Sequence, residues 1–444
     1  MVNWREHVKN NTVTAAEAAC VVASGNRVAV GHAAGAPDIL TRALVDRVGD
    51  RADNAPGDLR DVEITHMVAL DECLYCRPEY EKNFRFNSTF MSRPTVDALA
   101  EGRADYTPIF FSQIPILMRD PDFPIDVAMI MVTPPDDQGR VSLGVSVDYT
   151  LQIALSARTT IAQVNRHMPY IVGGALLDVT EIDKFVFADS PLPESPPAAF
   201  GATERAIGEQ IAELIPDGAC LQLGIGSIPD AVLASLDGKR DLGVHSEMIS
   251  DGAMRLVEKG VINCARKTIH QGKIVISFAM GTSSFYSWLD RNPMIESYPV
   301  DYVDDARVIG RHDNLVAINS AMSVDLLGQV AAESIGTRQF SAVGGQLDFM
   351  RGARFSNGGF SIIAMPATAK NGAVSRITGV FPPGQAVTST RNDVDYIVTE
   401  YGTAYLWGKT TNQRATALIR IAAPEFREEL AREARDVYGF KVNI

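Results

Sequence analysis

The sequence predicts an α/β protein built from two related open α/β domains, and three observations carry that expectation. Four prolines fall within residues 188–197 (ADSPLPESPP), a density that removes backbone donors and holds the chain extended between two halves. The two halves open alike, each on a short apolar strand, a glycine turn and a helix with proline in its first turn. Residues 126–132 (DVAMIMV) are apolar almost without interruption, the pattern of a parallel strand covered on both faces. The expected organisation is a first domain over 1–187, a linker over 188–198 and a second domain over 199–444.

The elements follow in order. Residues 25–31 (GNRVAVG) read as a strand that leads through small residues to Pro37 and a helix with Leu40 and Leu44 on one face. Residues 61–66 (DVEITH) read as a second strand reaching a histidine. After the break, Ile207, Ile211, Leu214 and Ile215 recur at helical spacing behind Thr203, which is expected as the N-cap. Residues 218–224 (GACLQLG) repeat the opening strand, and Ile225, Gly226, Ser227, Ile228 and Pro229 lead into a helix that Ser227 could cap. Residues 241–245 (DLGVH) again end on a histidine, so duplication of one unit is the economical reading. The pattern from 412 to 438 is helical.

At roughly 150 residues per domain, 444 residues make two or three domains with cores that need no disulfides. Five cysteines, an odd and small number, fit a reducing compartment and make the cytoplasm the expected location. The first residues lack a basic stretch followed by an apolar one, and no run is long enough to span a bilayer, so a membrane role is not expected. A net charge of −13 argues against nucleic acid as a partner. An anionic ligand would need local positive charge or backbone N–H groups.

Three segments carry candidate chemistry. The turn around Gly224 and Gly226 could bring N–H groups and a helix start to a phosphate or oxyanion, or could simply be a tight turn. It lacks the Gly-Lys-Ser/Thr of a nucleotide loop, and Pro229 stands where a dinucleotide fingerprint needs its third glycine. Glu247 lies at the end of the second half's strand, where the first half has an apolar residue after His66-Met67; an acid in one copy alone suggests a task. Residues 343–353 (VGGQLDFMRGA) offer paired glycines as oxyanion donors, with Arg351 and Arg354 for anions, or else form a hairpin turn with solvated arginines. Cys73 and Cys76 lack a second pair at zinc spacing and are expected to be ordinary thiols.

Taken together, 133–136 (TPPD), 142–148 (SLGVSVD), 221–230 (LQLGIGSIPD), 243–252 (GVHSEMISDG), 343–353 and 398–402 (VTEYG) resemble, in the right order and over nearly the whole chain, the family I coenzyme A transferases of the acetyl-CoA hydrolase/transferase group. The resemblance implies two CoA-transferase-type domains with the active site at their interface, and Glu247 as the nucleophile. It places CoA contacts on Leu221, Gln222, Leu223, Gly224, Ile225 and Gly226, and on Met322, Gly345 and Lys370. Gly345 would also serve the oxyanion hole, with a second donor near Val68 and Ala69. It implies no tightly bound cofactor and no metal, with CoA and acyl-CoA as substrates, and a homo-oligomer, a homodimer or higher.

The implied reaction is CoA transfer between short carboxylic acids, 4-hydroxybutyrate first, with itaconate/succinate or butyrate/acetate as variants. Hydrolysis of short acyl-CoA esters is the alternative within enzymes. An NAD-binding oxidoreductase and a non-catalytic acyl-CoA sensor are alternatives of other classes; Pro229 speaks against the first and an intact Glu247 against the second.

Overall fold

The computed structural model describes residues 3–48, 59–70 and 72–442, and the chain divides into two units. The first comprises residues 1–195 and 275–303, the second 196–274 and 304–444. Of the N-terminal stretch read above, Met1 and Val2 lie outside the described residues.

The first unit is built on a seven-stranded sheet. Its strands are β1 (Arg27–Val30), β2 (Val62–Thr65), β3 (Phe84–Ser88), β4 (Ala104–Tyr106), β5 (Val127–Val132), β6 (Thr159–Val164) and β7 (Lys184–Phe187). Every pairing is parallel, in the order β7-β6-β5-β1-β2-β3-β4, with Val28 beside Ile64 on one side and Val127 on the other. All six residues of β5 are buried, as a strand with both faces covered requires. Val28, Val30, Ile64, Phe86, Met129 and Ile161 join Leu40 and Leu44 in one core.

The second unit carries a six-stranded sheet: β8 (Cys220–Gln222), β9 (Gly243–Val244), β10 (Leu315–Ser320), β11 (Phe360–Ala364), β12 (Tyr396–Thr399) and β13 (Gly402–Tyr405). The order is β9-β8-β10-β11-β12-β13, parallel up to the antiparallel β12–β13 pair. Setting β9-β8-β10-β11-β12 beside β2-β1-β5-β6-β7 gives one topology twice, so the similarity of the two openings extends to strand order. In each unit the order reverses beside its first strand, and such switch points are where open α/β sheets hold ligands.

The helices named below are α1 (Asp38–Asp46), α2 (Ala202–Leu214), α3 (Ser227–Ala234), α4 (Gln346–Phe355), α5 (Thr411–Ile421) and α6 (Arg427–Tyr438). Pro424 lies in the break between α5 and α6, inside the expected C-terminal helical region. Two expected caps move by one or two residues. Gly201, not Thr203, is the N-cap of α2, its N–H donated to Glu204 at 2.9 Å, and Gly226, not Ser227, is that of α3. The causes differ: Gly226 has a φ of 113° that only glycine adopts freely, whereas Gly201 has an ordinary extended backbone and is fixed as the cap by Glu204 reaching back to its N–H.

The expected partition also changes at 275–303, which pack with the first unit and not the second. Main-chain bonds account for it: the N–H groups of Val147, Ala279 and Val300 donate to Ser277, Val145 and Asp148, and Ile295–Ser297 pairs in parallel with Val172–Gly173. The crossing from the first unit to the second falls between Ser195 and Pro196, inside the expected linker, and 188–201 hold no helix or strand.

Candidate active site

The candidate residues of the second unit gather after the carboxyl ends of its parallel strands. Gly224 and Gly226 follow β8, Glu247 follows β9, Met322 follows β10, and Lys370 lies beyond β11. The strand ends are tied to one another. His245 donates its N–H to Leu221 O at 3.1 Å; Ser246 Oγ accepts from Leu223 N–H at 3.1 Å and donates to Leu223 O at 3.0 Å. Gln222 Oε1 accepts from Ile318 N–H at 3.0 Å and from the Asn319 amide at 3.1 Å. Behind β9 the buried Lys267 ammonium donates to Val244 O at 2.8 Å and Lys273 O at 2.7 Å. The segment that carries Glu247 is therefore fixed at its base.

Glu247 is half-buried, and its Oε2 accepts the N–H of Gly345 at 2.8 Å. Gly345 is the N-cap of α4, whose first N–H groups have no partner within the helix and whose dipole favours negative charge here. The hairpin reading of 343–353 gives way to this helix start. Gly344 takes the left-handed turn, at φ 54°, whereas Gly345 has an ordinary φ of −90°. What excludes a side chain at 345 is space: a β-carbon there would lie 2.2 Å from Glu247 Oε2 and 2.3 Å from Asp304 Oδ2. Sequence reasoning missed Asp304, a buried residue in YVDDARV that belongs to no recognised motif.

The arginines of that segment are engaged elsewhere. Arg351 pairs with Asp393 at 3.2 Å, and Arg354 pairs with Asp395 while its guanidinium lies 3.4 Å over the Trp407 ring. The expectation that they wait for an anion is corrected: buried and half-buried carboxylates already hold them. Of the residues expected to contact CoA here, Leu221 and Gln222 in β8 and Leu223 after it are buried, and only Gly224, Ile225 and Gly226 reach the surface. Ile225 is 50% exposed. Gly226 sits at φ 113°, where only glycine is relaxed. Lys370 is exposed at the tip of a small hairpin between Thr368–Ala369 and Val374–Ser375, and Met322 is half-buried.

In the first unit the corresponding strand ends serve the fold. Asp148 Oδ2 accepts from Ser146 Oγ at 2.7 Å and lies 3.1 Å from His32 Nδ1, all three residues being buried. Asp136 gathers the Arg140 guanidinium, the Tyr170 hydroxyl and the N–H groups of Gln138 and Arg140. Burial would raise its carboxyl, but these donors win and bring it down to about 2. Two motifs that carry the family resemblance are thus structural knots.

A parallel sheet with a glutamate held against a helix N-terminus at its carboxyl end, beside a glycine loop, is an α/β arrangement suited to acyl-group transfer. Family models agree: the acetyl-CoA hydrolase/transferase N-terminal domain matches residues 2–193 and its C-terminal domain residues 281–434, with Glu247 lying between the two matched stretches. The chain is 51% identical to a 4-hydroxybutyrate coenzyme A transferase of Clostridium kluyveri, over 97% of this chain and 99% of that protein. It is 40% identical to a succinyl-CoA:cyclohexane-1-carboxylate CoA transferase of Geobacter metallireducens, over 98% and 97%. The solved structure of RipA from Yersinia pestis superposes with a TM-score of 0.93 at 37% identity, covering 98% of this chain and all of that one. The chain belongs to the acetyl-CoA hydrolase/transferase family, on its coenzyme A transferase side.

Proposed function

We propose that the chain moves CoA between short carboxylic acids through covalent intermediates on Glu247, with 4-hydroxybutyrate as the acid first in line and itaconate/succinate or butyrate/acetate as variants. The observation that carries the reading is the Gly345 N–H on Glu247 Oε2. The other carboxylate oxygen attacks the acyl-CoA carbonyl; the C–S bond breaks, CoA leaves as thiolate and a mixed anhydride forms. The thiolate then attacks the glutamyl carbon and expels the acid as its carboxylate, leaving a glutamyl-CoA thioester. In that second step the negative oxygen of the tetrahedral intermediate is Oε2 itself, already seated on its donor. The first step needs a donor for the substrate's own oxygen, which the family resemblance places near Val68 and Ala69.

The surface triplet Gly224, Ile225 and Gly226, with Met322, Gly345 and Lys370, supports a CoA site along the strand ends. A homo-oligomer acting on the cytoplasmic CoA pool goes with this reading; no helix among the described residues is long and apolar enough to cross a membrane.

Glu247→Ala should abolish transfer, to below about a thousandth of wild type, and Glu247→Asp should be severely impaired, because the nucleophile is lost or withdrawn by one methylene. The assay follows CoA exchange by mass spectrometry over a panel of acyl-CoA donors and acid acceptors. Parallel double-reciprocal lines and inactivation by borohydride after acyl-CoA treatment are expected of the wild type. Normal turnover in the alanine variant would sink the mechanism, and release of free acid without exchange would favour hydrolysis.

A further inference from the structure

An anionic ligand of a chain with net charge −13 needs local positive charge, and Arg351 and Arg354, already paired with Asp393 and Asp395, do not supply it. Arg376 is held among the ends of three adjacent strands of the second unit. Its N–H donates to Ala367 O at 2.9 Å, beyond β11, and its carbonyl accepts the Val324 N–H at 2.9 Å, beyond β10. Its guanidinium Nη1 donates to Ala321 O at 3.3 Å, next to Met322. Glu400, directly after β12, accepts the Ala367 N–H at 2.8 Å. The hairpin that carries Lys370 ends on Ser375, immediately before Arg376.

The Arg376 side chain is half-buried, yet the fold hardly uses it. Among the described residues the bond to Ala321 O is its single side-chain hydrogen bond, no carboxylate pairs with it, and its buried Nε has no acceptor. Arg414 shows what a structural arginine does in this unit: its guanidinium donates to the carbonyls of Lys409, Leu327 and Arg391. A guanidinium carries five N–H donors and stays charged. Burial works against that charge at 376, and the neighbouring Glu400 offsets only part of the cost. A phosphate is the partner that would use both the charge and the unspent donors.

We propose that Arg376 binds a phosphate group of CoA, as the guanidinium of the site to which Met322 and Lys370 belong. This rests on the reading that places CoA along these strand ends, and not on Glu247 as the nucleophile. The two cations divide the work. Lys370, exposed at its hairpin tip, is a point charge on a flexible stem; Arg376, tied through its main chain to the segments after β10 and β11, offers a planar fork in a set place. The acid substrates are anions as well, and the test separates them from the phosphate.

The test is a cycle between side chain and ligand. Wild type, Arg376→Gln and Arg376→Lys are assayed with the acyl-CoA that is turned over best and with the same acyl group on pantetheine, which lacks every phosphate of CoA. Arg376→Gln should raise KM for acyl-CoA about thirtyfold with a much smaller change in kcat, and Arg376→Lys, which keeps the charge but not the fork, should fall between. The two truncations should not add: on the pantetheine ester, wild type and Arg376→Gln should differ by less than about threefold. Calorimetry in a Glu247→Ala background, where no chemistry intervenes, should show the same thirtyfold rise in Kd for CoA. A loss that persists on the pantetheine ester, as a carboxylate contact or a purely structural role would give, overturns the proposal, and so does an unchanged KM and Kd for CoA. Should Arg376→Gln fail to fold, Arg376→Lys carries the same comparison. Lys370→Ala tells the two failures apart: CoA binding weakened there but not in Arg376→Gln sinks Arg376 alone, whereas binding untouched in both sinks the CoA site at these strand ends.

Discussion

Gly345 is glycine for want of room rather than for want of a left-handed turn, and that distinction sets what a substitution does. Alanine there adds one methyl group against Glu247 and Asp304, whose oxygens must retreat by about an ångström. A shift of that size in a reacting group costs on the order of a hundredfold, so Gly345→Ala should fold, lose about a hundredfold in kcat and form the borohydride-sensitive adduct correspondingly slowly. An alanine variant with wild-type kcat would mean that the wedge between the two acids is idle. Of this cluster, Glu247 and Gly345 are legible in the sequence, the first as an acid without a counterpart in the other half, the second through a paired-glycine segment. Asp304 is not, because its neighbours in space are 57 and 41 positions away and an Asp-Asp pair before a short helix reads as a cap. Asp136 and Asp148 lie in motifs that carry the family resemblance, and their carboxylates bind the first unit's own hydroxyls, N–H groups and basic side chains.

At the scale of elements, the turn between β8 and α3 separates a CoA site from a dinucleotide site. Substitution at Gly226 would confound strain with ligand loss, since φ 113° penalises any β-carbon. Gly224 is the better probe: it has no positive φ, and a β-carbon on it meets only Pro229 Cγ, at 3.8 Å. Gly224→Ala should therefore leave the unliganded melting temperature within about one degree of wild type while weakening CoA binding, because the added methyl narrows the approach of the ligand to the backbone. Thermal shift with CoA, NAD and NADP reads this directly. Stabilisation by CoA alone, reduced in the variant, is expected; stabilisation by NAD alone would return the loop to the dinucleotide reading. Strand and helix positions around this turn follow from hydrophobic pattern, whereas its cap does not, because Gly226 takes a backbone conformation that Ser227 would resist and so turns the chain one residue earlier.

For the whole molecule, the buried histidine His312 makes stability depend on pH. Burial, with His245, Lys267, His270 and Arg311 around it, holds its imidazole neutral well below the ordinary range. The unfolded chain takes up that proton below about pH 6.5 and the folded chain does not, so folded stability is full above that pH and falls as pH drops, by up to about 1.4 kcal/mol per unit. Urea midpoints between pH 7 and 5 should fall less steeply in His312→Gln than in wild type; equal slopes would show that the ring is protonated in place. The doubling of the α/β unit is legible from the two openings, since a strand, a small-residue turn and a helix recur with little change. The excursion of 275–303 is not, because its strands are two or three residues long and many of its attachments to the first unit are main-chain bonds, which leave no side-chain signature.

That excursion governs the order in which the molecule can be completed during synthesis. The chain emerges from the ribosome N-terminus first, yet the first unit lacks residues 275–303 until some eighty residues of the second have already appeared. That later segment brings the buried apolar groups Ile276, Phe278, Phe285 and Leu289, and until it arrives the ring of His32 lacks the edge of Phe278 that packs on it. Neither half is a self-contained gene segment, and a fragment ending at the proline-rich break would be born with its seam open.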